Sequence, residues 1–210
     1  MEKAKNVIEY YVLCNRLKDI IRTGWKDWGV KRKRVESVAE HVYGVQMLAI
    51  AMWSEYKYDI DLEKTLTMLA VHELEEILIG DLTMFDIDRK TKKQKGIEAV
   101  EKITTILSNG TQIKDLILEF NNRQTKEAQF AFFCDKLECD IQCRLYDLEK
   151  CVNIEKQQKN KTANTPYVKK LIEKNKSWSK AWLEFGRNNY KYDENFTEVS
   201  NYVSNNDITK

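Results

Sequence analysis

Scarcity of turn-forming residues is the feature that most narrows the folds open to this chain. Its 210 residues include only seven glycines and one proline, Pro166. Sandwiches, barrels and repeated βαβ units need many more such residues at their turns. The sequence therefore predicts an all-α fold, and an apolar share of 42% is enough to form a hydrophobic core.

Apolar residues recur at helical spacing along most of the chain and predict six or seven helices. These cover about residues 6–21, 38–53, 62–80, 91–107, 111–120, 126–156 and 166–190. After residue 190 the composition turns to Asn, Ser, Asp and Tyr. We therefore predict a single helical domain over residues 1–190 and a loosely ordered polar tail over residues 191–210.

Charge and cysteine usage limit the partners and the compartment. The 35 Lys and Arg residues nearly balance the 33 Asp and Glu residues, so the net charge of +2 gives no general attraction to nucleic acid or to anionic membranes. No run of apolar residues is long enough for a signal peptide or a membrane span. Five cysteines without a CxxC pair fit free thiols in a reducing compartment. The expected location is the cytoplasm, with no nucleic-acid or membrane partner.

The chain has only two histidines, His41 and His72, and each lies in an apolar helical stretch beside a glutamate. A single such histidine is more often a core residue than a metal ligand, but two together favour a metal site. The stretch LAVHELEEILIGDL adds Glu73, Glu75, Glu76 and Asp81, and a divalent cation compensates the desolvation of buried carboxylates. The alternative, a solvated acidic edge of a helix, accounts well for Glu75.

A third carboxylate for this site is Asp135, which follows the aromatic run AQFAFFC. Two imidazoles and two carboxylates balance the charge of a divalent ion and leave positions open for water and a substrate oxygen. Such a metal site is typical of a hydrolase. A zincin is excluded, because Glu76 stands where the second histidine of its motif would be.

Four segments resemble the HD-domain phosphohydrolases, and among them the 5'-deoxynucleotidase branch. They are RTGW at residues 22–25, RVESVAEH at 34–41, HELEEILIGDL at 72–82 and CDKLE at 134–138. The resemblance implies an HD-domain helical bundle that binds one divalent transition metal, manganese, cobalt or zinc. One departure stands out: the second residue of the His-Asp doublet of that family is Glu73 here.

The resemblance also implies a role for each matched residue. The implied metal ligands are His41, His72, Glu73 and Asp135. Glu76 would position or deprotonate the attacking water, Arg22 would contact the substrate phosphate, Trp25 the sugar and Asp81 a sugar hydroxyl. From spacing alone, Arg22 and Trp25 fit equally well as a helix C-terminal cation and a core aromatic. In the KRKR run at residues 31–34, Arg34 is the cation that we expect to point inward and bind substrate.

The predicted activity is metal-dependent removal of the 5'-phosphate from a nucleoside or deoxynucleoside monophosphate. One alternative is an HD hydrolase that acts on another phosphorylated metabolite or signalling nucleotide. Another is a helical regulatory or interaction module that has lost catalysis, for which the His-Glu doublet is the best argument. Related enzymes suggest a homodimer.

Overall fold

Helices dominate residues 1–209, the part of the chain that this computed structural model describes. Its α-helices are α1 (Glu2–Cys14), α2 (Thr23–Asp27), α3 (Val38–Tyr56), α4 (Leu62–Val71), α5 (Glu76–Ile79), α6 (Arg89–Thr104), α7 (Gly110–Asn122), α8 (Lys126–Leu148), α9 (Pro166–Asn175), α10 (Trp178–Asn189) and α11 (Glu194–Asn205). Two 3-10 helices span Asn15–Lys18 and Ile154–Lys156, and one isolated antiparallel bridge joins Ile21 to Ser37. The predicted all-α fold is confirmed.

The helices outnumber the six or seven predicted, partly because two of the predicted helices break. Residues 166–190 divide at Lys176, whose φ of 52° ends α9 in the left-handed region. Ser177 then caps α10 by accepting a hydrogen bond from the backbone N–H of Lys180. Residues 62–80 divide after Val71, and the turn that follows forms part of the candidate site.

The first helix also differs from its prediction. It runs over Glu2–Cys14 instead of residues 6–21, and a 3-10 helix continues the chain to Lys18. The apolar stripe that predicts it faces solvent, and between 56% and 60% of each of these side chains is exposed: Val7, Ile8, Tyr11 and Val12. Helical spacing is therefore present here without burial of the apolar face.

The described residues form two compact units. The first unit consists of residues 1–23 and 36–132, and the second of residues 24–35 and 133–209. The core of the first unit is aliphatic, with Leu17, Val38, Leu74, Ile77, Val100, Ile103 and Ile117. The core of the second unit is largely aromatic and includes Trp25, Trp28, Tyr146 and Trp178.

Residues 191–209 do not form the loosely ordered tail that the polar composition predicts. Asp193 caps α11 by accepting a hydrogen bond from the backbone N–H of Phe196. The helix buries Phe196 completely, and Val203 is also buried on it. A few well-spaced apolar residues are enough to dock a helix whose average hydrophobicity is low.

The cysteines are free thiols, namely Cys14, Cys134, Cys139, Cys143 and Cys151. Burial raises the pKa of the Cys134 and Cys143 thiols well above the ordinary value, so both pack as small apolar groups. No helix within residues 1–209 combines the length and the apolar character that crossing a bilayer requires.

Candidate metal centre

A short backbone pairing brings Arg22 next to the start of α3. The Val38 N–H donates to the Ile20 carbonyl at 2.8 Å, and the Arg22 N–H donates to the Glu36 carbonyl at 3.1 Å. Ser37 then begins α3 with a capping box, in which its hydroxyl and the Glu40 carboxylate each bond the other residue's backbone N–H. The helix start is thus well defined, and His41 lies fully buried one turn further on.

His72 and Glu73 lie in a tightened turn between α4 and α5, not inside one continuous helix. Hydrogen bonds over three residues, such as that from the Glu76 N–H to the Glu73 carbonyl at 3.1 Å, replace the α-helical pattern here. In such a 3-10 geometry, side chains three residues apart lie directly above one another. The turn therefore aligns Glu73 with Glu76, whereas an unbroken helix would align His72 with Glu76.

The Glu73 carboxylate lies between the two imidazole rings. Glu73 Oε1 is 3.8 Å from His41 Nε2 and 3.5 Å from His72 Nε2, and the possible ligand atoms lie within 4.8 Å of one another. His72 Nδ1 is 2.7 Å from the Leu69 carbonyl, which can only accept, so Nδ1 carries the proton. In the neutral ring the lone pair is then on Nε2, the nitrogen that faces Glu73.

These residues have the donor set and the spacing that a divalent metal requires. Two ligands at roughly 2.1 Å from one ion lie about 3 to 4 Å apart, and both of the measured separations fall in this range. The Leu69 carbonyl orients His72 in the way that ligating histidines are commonly held. His41, His72 and Glu73 of the first unit thus fit a transition metal.

Arg22 and Glu76 border this group. Arg22 Nη1 lies 3.5 Å from Glu73 Oε1. Glu76 is 4% exposed, and its Oε2 has no hydrogen-bond partner within residues 1–209. Burial raises the pKa of Glu76 far above its ordinary value, and the charges of Glu73 and Asp81 raise it further. Arg22 and Lys92 oppose that rise.

Asp81 supports the segment that carries Arg22. Its Oδ2 accepts a hydrogen bond of 2.6 Å from the Thr23 N–H, and its carbonyl accepts another from the Thr23 hydroxyl. These bonds span 58 positions of the chain and join the end of the Glu76 helix to the residue after Arg22. Asp81 therefore anchors the residue that follows Arg22, a contact that sequence spacing did not reveal.

The other predicted site residues belong to the second unit. Trp25 is 2% exposed, and its ring packs edge-on against Tyr146 and Trp178. Arg34 is exposed, and Arg32 is the cation of the KRKR run that lies over the Tyr146 ring, at 5.6 Å. Asp135 is buried on α8, with Lys136 Nζ 2.8 Å from its carboxylate.

Glu75 is a half-buried acid, whereas the sequence interpretation placed it on a solvated edge of the helix. A Cβ placed on Gly96 of α6 would lie only 2.7 Å from Glu75 Oε2, so the glycine leaves room for this carboxyl. Burial, and then the charge of Glu73, raises the pKa of Glu75 to about 7. A glycine inside a helix, as at Gly96, was the available signal, because glycine is unfavourable there without a packing reason.

Comparison with known proteins agrees with this arrangement. A family model described as HD domain matches residues 14–176. The chain belongs to the HD-domain family. The 5'-deoxynucleotidase HDDC2 of Dictyostelium discoideum is 35% identical over 150 residues, which are 68% of this chain and 78% of that protein. The 5'-deoxynucleotidase hdd1 of Schizosaccharomyces pombe is 29% identical over 161 residues, 73% of this chain and 78% of its own length.

Solved structures show the same fold. The crystal structure of the PH0347 protein from Pyrococcus horikoshii OT3 matches with a TM-score of 0.64 and 24% identity, over 94% of this chain and 98% of that one. The family model and the curated relatives confirm the resemblance to HD-domain phosphohydrolases of the 5'-deoxynucleotidase branch. The HD domain implies dependence on a divalent metal, and His41, His72 and Glu73 are placed to bind one.

Proposed function

We propose that this HD-domain protein hydrolyses the 5'-phosphate of deoxynucleoside monophosphates. The observation that carries the proposal is the convergence of His41, His72 and Glu73 on one point, with Arg22 3.5 Å from the same carboxylate. The relatives with this domain that cover most of the chain are 5'-deoxynucleotidases. A metal-binding group with an arginine beside it suits a phosphate ester, because both can offset its negative charge.

Four side chains form the proposed ligand set: His41, His72, Glu73 and Asp135. The first three are supported by their mutual distances, and Asp135 by the family resemblance and by its burial on α8. Manganese, cobalt or zinc is the proposed metal. When bound, a divalent ion polarises a phosphoryl oxygen and supplies positive charge that favours the ionised form of nearby acids.

Glu76 and Arg22 are the proposed reacting partners from the protein. Glu76 Oε2, buried and without a hydrogen-bond partner within residues 1–209, accepts the proton of the attacking water. The Arg22 guanidinium exchanges its contact with Glu73 for the substrate phosphate, and there it offsets the charge of the phosphoryl group.

Three further residues are proposed on the substrate side. With Asp81 Oδ2 bonded to Thr23, Oδ1 is the oxygen that we assign to a sugar hydroxyl. Trp25 as a contact of the sugar and Arg34 as a contact of the substrate rest on the resemblance alone.

Phosphate release from purified protein tests the activity. The 5'-monophosphates and 3'-monophosphates of the deoxynucleosides, and the ribonucleoside 5'-monophosphates, are each incubated with manganese, cobalt, zinc or a chelator. We expect release from the deoxynucleoside 5'-monophosphates with at least one metal, little from the 3'-isomers, and none with chelator. Protein that binds metal but releases no phosphate from any nucleotide would contradict the proposal.

We also propose that the protein is a cytoplasmic homodimer. Its five free thiols suit a reducing compartment, and the exposed apolar side chains of α1 can be covered by a second copy. Light scattering after gel filtration should give twice the chain mass of 24.8 kDa. Tyr11→Glu, on the exposed face of α1, should shift the mass towards the monomer, and an unchanged dimer would exclude this face.

A further inference from the structure

A pocket of about 300 Å³ opens between α6 and α7 of the first unit. Four of its lining residues are cations: Arg89, Lys92, Lys93 and Arg123. Glu75 is the only acid among its lining residues. None of the residues assigned above to metal, water or phosphate in the first unit lines this pocket.

The cations at the start of α6 oppose the local electrostatics of the helix. Residues 89–95 read RKTKKQK, and the acid at this end of the helix is the N-cap Asp88, whose carboxylate accepts hydrogen bonds from the backbone N–H groups of Lys90 and Thr91. The N-terminus of a helix carries partial positive charge and favours anions, so this charge pattern destabilises the free helix. Because Asp88 already occupies the N-terminus of α6, a bound anion would be held by the side-chain cations.

Two of these cations have no carboxylate partner among the residues that the structure describes. Within residues 1–209, no acidic side chain forms an ion pair with Arg89 or Lys93. Lys92 donates to the Leu82 carbonyl at 2.6 Å, and the Arg123 guanidinium lies 3.9 Å from the centre of the Phe132 ring. Arg89 and Lys93 are therefore available to a ligand, while Lys92 and Arg123 are held at the wall.

The remaining wall of the pocket is not suited to inorganic phosphate alone. Its lining includes Ile97, Ile117 and Leu118, which form an apolar surface next to the cations. The side-chain amides of Asn121 and Asn122 offer both donors and acceptors. Apolar surface with a few convergent polar groups is typical of sites for small organic molecules.

We propose that this pocket binds an organic phosphate at a site separate from the metal centre. The phosphate groups lie against Arg89 and Lys93, and the organic body lies against Ile97 and Leu118. With four cations against one acid, the pocket suits a ligand that carries more than one negative charge.

Calorimetric titration of the full chain with ADP tests the proposal, in chelator so that no turnover occurs. Pyrophosphate and adenosine represent the two halves of the probe. We expect one ADP per chain, weaker binding of pyrophosphate and the weakest binding of adenosine. Pyrophosphate that binds as tightly as ADP would overturn the assignment of an organic ligand.

A pair of charge-matched variants identifies the site. Arg89→Ala/Lys93→Ala should raise the Kd for ADP by about tenfold or more, because two charge-assisted contacts are lost. Lys90→Ala/Lys95→Ala removes the same charge from the same helix at residues that do not line the pocket, and should change the Kd less than about twofold. Equal Kd values for the two double variants would overturn the proposal.

A metal-site variant separates this proposal from the proposed activity. His72→Ala should abolish phosphate release and leave the Kd for ADP unchanged. If ADP binding disappears in His72→Ala, while circular dichroism shows that the variant is folded, ADP binds at the metal centre and no second site exists. Absence of nucleotidase activity in the unsubstituted protein would leave the ADP result unaffected.

Discussion

Buried carboxylates occur in both units, and their surroundings differ. In the first unit, Glu73 lies close to two imidazoles and to Arg22, which is 3.5 Å away, and Glu76 is buried next to the same turn. In the second unit, Asp140 on α8 is 5% exposed. Burial raises the pKa of Asp140 well above its ordinary value, although Lys136 and Arg187 both act to lower it.

The difference indicates which buried acids serve a ligand. Around Asp140 the protein provides its own cations, and Gly186 of α10 leaves space for the carboxylate. Around Glu73 and Glu76, acids outnumber the cations, and the imidazoles carry lone pairs. A buried anionic group that its own protein does not balance is the arrangement that an external cation completes.

The largest expected effect is on catalysis. Glu76→Gln should lower turnover by about 100-fold or more while metal content stays the same, because the change removes the proposed base and keeps the proposed ligands. Phosphate release and elemental analysis of the same preparation measure both. Glu98→Gln, an exposed site on α6, is the matched control. Full activity in Glu76→Gln would remove Glu76 from the mechanism.

Gly186→Ala should be the most destabilising of the small changes in the second unit. Its Cβ would collide with the Asp140 carboxylate, and we expect a loss of about 2 kcal/mol in the free energy of unfolding. Urea denaturation measures the loss. Gly24→Ala, whose Cβ would meet nothing within 4 Å, should lose far less. A loss that persists in Gly186→Ala/Asp140→Ala would show that the carboxylate is not the cause.

Glu73→Asp examines the departure from the His-Asp doublet. Glu73 Oε1 already lies 3.5 and 3.8 Å from the imidazole nitrogens, so a shorter arm should withdraw the carboxylate from the site. We expect metal affinity to fall about tenfold, measured by competition with a chelating dye. Higher affinity would mean that Glu73 is a strained ligand. Unchanged metal binding in both Glu73→Asp and Glu73→Ala would show that Glu73 is not a ligand.

The smallest expected effect is the pH dependence caused by Asp140. Burial raises the folded-state pKa of Asp140 above the ordinary 3.8. The contribution of Asp140 to the free energy of unfolding is therefore fully present below pH 3.8 and is lost as the pH rises through the folded-state pKa. Asp140→Asn should therefore gain stability relative to the unsubstituted protein as the pH rises from 5 to 8. Urea denaturation at both values measures the gain. Asp115→Asn, at an exposed site, should show no such gain in stability. An equal gain in both variants would show that burial of Asp140 is not its cause.

Local pattern predicted the helical class and the residues of the candidate centre, because chemical type and spacing are both visible in a sequence. His41, His72 and Glu73 stand out since only two histidines exist and each has an adjacent acid. The break after Val71 could not be predicted, because His72 and Glu75 keep helical backbone angles and the turn differs from a helix in its hydrogen-bond register. The spacing of apolar residues is the same for both hydrogen-bond registers and does not distinguish them.

Features that depend on residues far apart in the sequence could not be predicted from local sequence pattern either. The apolar stripe of α1 has the right spacing, but nothing in the spacing says whether another element covers it. Arg32 and Arg34 are equivalent in sequence, and only the position of Tyr146 decides that Arg32 lies over a ring. The support that Asp81 gives to Thr23 likewise joins residues 58 positions apart.

The aromatic core of the second unit has a consequence for synthesis on the ribosome. Trp28 packs against Trp178, so about 150 residues are translated between the two rings. At roughly 5–20 residues per second, this interval lasts on the order of 8–30 s. During that time Trp25 and Trp28 have left the ribosome without the later residues that bury them, Tyr146 and Trp178. The nascent chain therefore passes through a stage that a chaperone for exposed aromatic residues can bind, and folding of this unit waits for its C-terminal helices.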